Sequence, residues 1–289
     1  EDSASFSLSS QSLPEWITFT VATSLVLYLV SYTWFLPQGP HLGDAYLSSI
    51  QSITGPSPAP TIAGMLTFFA IVHSGLASLR TYSESIIGPR AHRVIFALLS
   101  LPLSLSALSY FVNHAHDGPA HWDLRDLPFV HPLIWSLNAL SFLLLYPSTF
   151  NLLEISAVQP PKVHLWDTGV IRITRHPQAI GQVMWCLGHC MWTGTDTALA
   201  ATGVLVAHHA FSVWNGDRRM EERHGSAFTS LKSRTSVVPF AAVLSGRQKL
   251  PTDYWKEWAR PPYAIVVAGT IGAYLAHPWM MAGASLLGW

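Results

Sequence analysis

Seven long stretches of this chain contain no Asp, Glu, Lys or Arg: residues 16–36, 61–79, 94–113, 132–150, 178–193, 197–214 and 262–276. A bilayer core takes about 20 mostly apolar residues per helix, with roughly 17–25 usual. Within it every backbone N–H and C=O must be satisfied inside the segment, so such runs are committed to helices. The pattern predicts an all-α fold, a polytopic membrane helical bundle of about seven transmembrane helices. Charged residues make up 11% of the chain, under half the roughly 25% of a soluble domain. Hydrophobic residues make up 49%. Twelve Trp and nine Tyr suit the two interfacial belts. Residues 178–214 read as a helical hairpin turning at "TGTD", while "PWMMAGASLLGW" at the end is too short to cross by itself.

Lys and Arg set the orientation. All of the 16 except Arg125 fall in alternate loops, within 80–93, 162–175 and 218–260. Such residues stay on the cytoplasmic side, so these loops and the N-terminus face cytosol, or stroma in a plastid. Acidic and basic residues balance at 16 each, which argues against a nucleic-acid partner. Two cysteines within one helical turn make no disulfide framework. Residues 1–14 are Ser-rich, free of Lys and Arg, and are expected to be disordered. A transit peptide removed upstream of Glu1 fits that composition. Residues 15–289 are expected to form a single membrane-embedded domain. In the long polar loop 215–261, "RRMEERHGSAFTSLKSR" puts Met220, Ala227, Phe228 and Leu231 on one helical face. That reads either as a helix lying in the interface plane or as a solvated helix.

Four of the 14 histidines fall inside the expected spans: His73, His189, His208 and His209. Intramembrane ionisable residues are costly and therefore functional candidates. Each could instead be a structural histidine bonded to a Ser or a carbonyl of the next helix. Metal ligation is the natural chemistry for such a set. Zinc asks for a tight group of four Cys, His or acidic ligands, and there is no CxxC, no HExxH and no acidic residue within these spans. Haem asks for one or two axial side chains, and its apolar macrocycle suits Phe, Leu and Met. Both cysteines lie in "WCLGHC" (185–190). Cys186 and His189 are three apart and share a helix face, so one iron could switch between them with redox state. Cys186 could equally be a small buried hydrophobe. Cys190 points roughly 100° away from His189 and is given no role. At the opening of that helix, "ITRHPQ" places Arg175 and His176 before Pro177. Positive residues there oppose the helix dipole, which suggests a docked anion: a haem propionate, a lipid phosphate or a cofactor carboxylate. Arg80 lies on the same membrane side. Surface anchoring by basic residues is the plain alternative.

Several segments carry a family likeness: "FAIVHSGLASLR" (69–80), "GPRAHRVIFALLSLPLS" (88–104), "LYPSTFNLLE" (145–154), "GVIRITRHPQAIGQVMWCLGH" (169–189), "WNGDRR" (214–219) and "RTSVVPFAAVLSGRQKLP" (234–251). In this order they resemble the NnrU-domain membrane family, over about residues 61–280, and its plastid branch in particular. The resemblance implies a haem b isomerase of carotenoid synthesis, turning 9,15,9'-tri-cis-zeta-carotene into the 9,9'-di-cis isomer. It puts the axial iron ligands at His73 and His189, with Cys186 as alternative thiol ligand. His114, His176 and His208 also match family positions. The partners it implies are a polyene drawn from the bilayer, membrane lipid, an electron donor and other carotenoid-pathway enzymes.

Depth weighs differently. His73 and His208 each lie six residues from the basic end of their spans, about 9 Å at 1.5 Å per residue. His189 lies eleven residues in, about 16 Å on the same rise. On depth alone His208 pairs better with His73, and it stays open as the second ligand. Phe68, Phe69, Met184 and Trp185 adjoin the candidate ligands and could line the substrate site. Bond rotation needs no general acid or base, and a resting oxidised iron would be activated by reduction with loss of one ligand. Two other classes remain. One is a haem-binding sensor without turnover. The other is an S-adenosylmethionine-dependent membrane methyltransferase, in which Arg175 and His176 hold the cofactor and Glu221 and Glu222 supply the acidic pair.

Overall fold

The structure is a computed structural model that describes residues 8–145, 151–162, 164–285 and 289. Among these residues the regular structure is all helical, and the one β feature is an isolated bridge between Ala120 and Thr195. The helices are α1 (Leu13–Val30), α2 (Leu42–Thr54), α3 (Pro58–Ser78), α4 (Arg80–Ile87), α5 (Pro89–His114), α6 (Val130–Leu145), α7 (Leu152–Ile155), α8 (Pro177–Thr193), α9 (Asp196–His224), α10 (Ser226–Arg234), α11 (Ala241–Leu244), α12 (Trp255–Trp258) and α13 (Pro261–Ser285). Five segments are long and apolar enough to cross a membrane: Leu13–Phe35, α3, α5, α9 and α13. The other two expected spans are helices too. α8 has 17 residues, about 26 Å and so slightly short of a hydrocarbon core. α6 ends its described part at Leu145, and 146–150 of that expected span lie outside the described residues.

The ends of the helices follow from the sequence. Ser12 and Glu15 form a capping box at α1, with the Ser12 N–H donating to Glu15 Oε2 at 2.7 Å. Proline occupies the first turn of α3, α5 and α8, where its missing N–H costs nothing. The hairpin expected at "TGTD" is there. Gly194 ends α8 at φ +66°, and Thr195 caps α9 by accepting from Ala198 N–H. Any β-carbon on Gly194 would strike the Trp122 carbonyl. Within the spans, hydroxyls return to carbonyls one turn back, as at Ser136 to Pro132 and Thr270 to Val266. Lipid offers them no other partner.

Two expectations need adjustment. The last span, expected to end at residue 276, is longer: α13 runs on into "PWMMAGASLLGW" as far as Ser285, with Pro278 inside. The polar stretch after residue 215 is two helices and not one. Gly225, at φ +52°, separates α9 from α10. Phe228 and Leu231 are then buried in the protein instead of lying in a lipid interface.

Neighbour contacts arrange six helices in a ring, in the order α5, α3, α9, α8, α6 and α13, with α13 closing back onto α5. α1 leans on α5, and α2 covers α3. Ile62, Met65, Ala107 and Tyr110 form the buried core near α2. Outward faces carry Val21, Ile71, Leu133 and Ile265, all exposed, as a lipid-facing surface requires. α6 and α8 approach closely because two glycines let them. A β-carbon on Gly188 would lie 2.7 Å from Asn138 Nδ2, and one on Gly181 2.7 Å from the Ser141 carbonyl. The second obstacle is backbone and cannot turn aside. Gly181→Ala is therefore expected to destabilise the bundle by about 1–3 kcal/mol through overpacking. An unchanged thermal midpoint in detergent would mean that the helices separate freely.

Candidate functional site

The helices α5 and α8 face each other across the ring and divide its interior into two rooms. The first, between α3, α5, α8 and α9, has a cavity volume of about 360 Å³. His73 from α3, Cys186 and His189 from α8, and His208 and His209 from α9 all line it. The structure thus brings together every histidine expected within the spans, with the expected cysteine. Phe69 and Trp185 share that wall. Phe68 instead packs on Tyr46 at 5.8 Å between ring centroids, and Met184 lines neither room.

His73 and His208 are direct neighbours, 6.0 Å between ring centroids with planes at 86°. The depth argument placed them at one level, and they are. Phe69 and Phe96 pack on His73 at 5.1 and 4.8 Å. His208 Nε2 is 2.9 Å from Ser74 Oγ. Nδ1 of His73 and Nδ1 of His208 are buried without a protein partner, a costly state for nitrogen in an apolar room. His189 differs. Its Nδ1 lies 2.9 Å from the Trp185 carbonyl, so Nδ1 carries the proton and Nε2 keeps the free lone pair. His209 repeats that pattern on Leu205. Cys186 is 2% exposed, and Gln182 Nε2 donates to its sulfur at 3.5 Å. Among the described residues no group of three or more His, Cys, Asp or Glu is placed to hold a bare metal ion.

These donors suit a group that asks for one or two axial nitrogens. Two imidazole nitrogens lack partners, and a third imidazole is fixed in the metal-binding tautomer. A backbone carbonyl behind a ligating histidine is the usual way its orientation is set.

Arg80, Arg175 and His176 lie outside this room. Arg175 and His176 stand where α8 begins, and the carboxylate docked there is the protein's own. Arg175 Nη2 donates to Asp217 Oδ2 at 2.8 Å, and His176 Nε2 lies 2.6 Å from Asp217 Oδ1. Burial holds the His176 imidazole below its ordinary pKa, against the upward pull of Asp217. The neutral ring therefore donates its Nε2–H to a carboxylate whose charge Arg175 balances. Arg80 is tied to Glu84 at 2.7 Å. Glu221 and Glu222 pair with Lys232 and Arg218. His114 sits at the far end of α5, 2.6 Å from Asp117. Sequence reasoning missed Asp217, Gln182 and Ser74. All three lay in segments already singled out, Asp217 in "WNGDRR", Gln182 in "GVIRITRHPQAIGQVMWCLGH" and Ser74 in "FAIVHSGLASLR", but nothing in those segments set them apart as site residues.

The second room lies between α5, α6, α8 and α13 and has a volume of about 780 Å³. Leu108, Phe111, Trp185 and His189 form the wall between the two.

A ring of membrane helices around a buried histidine cluster defines a class, and residues 61–284 match the family described as NnrU protein. The chain belongs to that family. Within it, the chain is similar to two enzymes named 15-cis-zeta-carotene isomerase, chloroplastic. It is 50% identical to that of Arabidopsis thaliana and 47% identical to that of Zea mays. Each likeness covers the whole of this chain and 78% of the relative. The enzyme class those names give is isomerase. No solved structure matches the chain.

Proposed function

We propose that this chain is a haem-dependent isomerase of a plastid membrane, converting 9,15,9'-tri-cis-zeta-carotene to the 9,9'-di-cis isomer. The observation that carries the reading is the first room, where His73, Cys186, His189 and His208 meet between four helices. Haem b would be held there by His73 and His189. His189 is favoured over His208 as second ligand because its Nδ1 is fixed by the Trp185 carbonyl, whereas Nε2 of His208 already has Ser74. When bound, the iron supplies a centre that exchanges charge with a polyene and lowers its double-bond character. The chain's own task is to position and to exclude water. Phe69, Phe96 and Trp185 pack around the imidazoles, and Gln182 keeps the Cys186 thiol on the same wall. Cys186 is the alternative ligand after a redox change. The basic loops face the stroma, and an electron donor reaches the protein from that side.

Two measurements test this. The purified protein should carry a haem absorption band. Reduced preparations should isomerise the substrate about tenfold or more faster than oxidised ones, a barrier difference of about 1.4 kcal/mol or more. Equal rates in the two states would remove the redox dependence. A colourless preparation of full activity would remove the haem.

A further inference from the structure

The first room accounts for the titratable cluster and leaves the larger room unexplained. The geometry points to that second room as the binding chamber for the polyene hydrocarbon, with His189 and Trp185 as the wall it shares with the iron-ligand cluster. This deepens the isomerase reading and rests on it.

Volume and chemistry both favour the assignment. The chamber holds about 780 Å³, toward the upper end of the roughly 300–1,000 Å³ of small-molecule sites. The histidine room holds less than half of that. α6 and α13 contribute Ala139, Phe142, Ile271, Ala273 and Met280, which give a hydrocarbon contact surface and demand no hydrogen bonds from it. The histidine on the α6 wall is engaged: Trp135 Nε1–H donates to His131 Nε2 at 2.9 Å. Trp135 in turn packs edge-on to Tyr274 at 4.2 Å.

Access from the bilayer follows from α13. This helix closes the ring against α5 and α6 and leaves its outer side to lipid, with Ile265, Leu275 and Trp279 more than half exposed. Its glycines Gly269, Gly272 and Gly283 touch nothing within 4 Å of where a β-carbon would stand. On this proposal α13 is the side from which a water-insoluble chain would enter the chamber without leaving the membrane. The four shared wall residues then set the polyene beside the ligand cluster, on the opposite side of His189 from His73.

The test fills the chamber from two different helices, with Ala139→Phe on α6 and Ala273→Phe on α13, in full-length protein reconstituted into vesicles. Both variants should keep the haem band, which also reports an intact fold, and lose at least about tenfold in isomerisation. Ala273→Val should give a smaller, graded loss. Leu275→Phe, which adds bulk on the exposed outer face, should leave the rate unchanged. Wild-type turnover in both filled variants would overturn the assignment. Loss of the haem band in both, with His73 and His189 unaltered, would overturn it differently by placing the porphyrin in the larger room. Failure of the haem reading itself is distinguishable: the unsubstituted protein would then be colourless and active, and filling the chamber would still abolish activity.

Discussion

His189→Ala should lose both the haem band and the isomerase activity, and His73→Ala should do the same. Groups that hydrogen-bond to a metal ligand are worth roughly 10–100-fold in metal affinity, so removing a ligand should cost more than about 100-fold. The geometry separates this outcome from simple misfolding. His189 is fixed by a carbonyl of its own helix, at Trp185, so its loss breaks no contact between helices. His208 makes one, to Ser74 on α3 at 2.9 Å. His208→Ala should therefore lower thermal stability modestly, by about 1 kcal/mol for a single hydrogen bond, and keep the pigment. Loss of pigment in His208→Ala with pigment kept in His189→Ala would assign the ligands to His73 and His208. Absorption spectra of the three purified variants decide the matter.

Asp217→Ala should be the most destabilising single change on the basic side of the membrane. Asp217 is 7% exposed. It ties the start of α8 to α9 through Arg175 and His176, and Lys232 of α10 stands 3.7 Å away. Removing the carboxylate leaves the Arg175 guanidinium, whose side chain is 12% exposed, without its counter-charge. Breaking one partner of a buried pair costs about 3–5 kcal/mol. The thermal midpoint of the detergent-solubilised variant should fall accordingly, and Asp217→Asn, which keeps the shape and one acceptor, should fall less. An unchanged midpoint in both would mean that Arg175 finds solvent or another acceptor, and that the cluster does not anchor α8.

Much of the fold could be read from charge alone. Charge-free runs marked where the long apolar helices lie. The hairpin at residues 193–196 was visible because Gly and Thr there perform turn and cap chemistry that few residues can. The break at Gly225 was missed. An isolated glycine in an amphipathic pattern costs a helix only about 1 kcal/mol, so the sequence by itself does not distinguish a tolerated residue from a boundary. α2 was missed for a related reason: at 13 residues it is too short to span and too polar to stand out.

For the site, depth counting put His73 and His208 at one level because rise per residue is fixed along a helix. Which helices face one another is a matter of packing. The close approach of α8 to α6 depends on Gly181 and Gly188, whose role becomes visible only once Asn138 and Ser141 are placed opposite them. Arg175 and His176 were expected to meet a bound anion, and the carboxylate beside them is that of Asp217. That it is Asp217 could not be read from spacing, since the pair is separated by about forty residues of hairpin.

Those glycines also limit how the surroundings of Cys186 and His189 could rearrange. α8 is bolted to α6 at two points seven residues apart, each a near-contact of backbone with its neighbour. It can neither screw about its axis nor slide without prising α6 away. If a haem is held here as proposed, an exchange of Cys186 for His189 would be made by torsions of the two side chains alone, with no travel of the rod that carries them. Such movements belong to the fast, local end of protein motion, so a donor swap should persist in chilled glasses where collective helix motion has stopped.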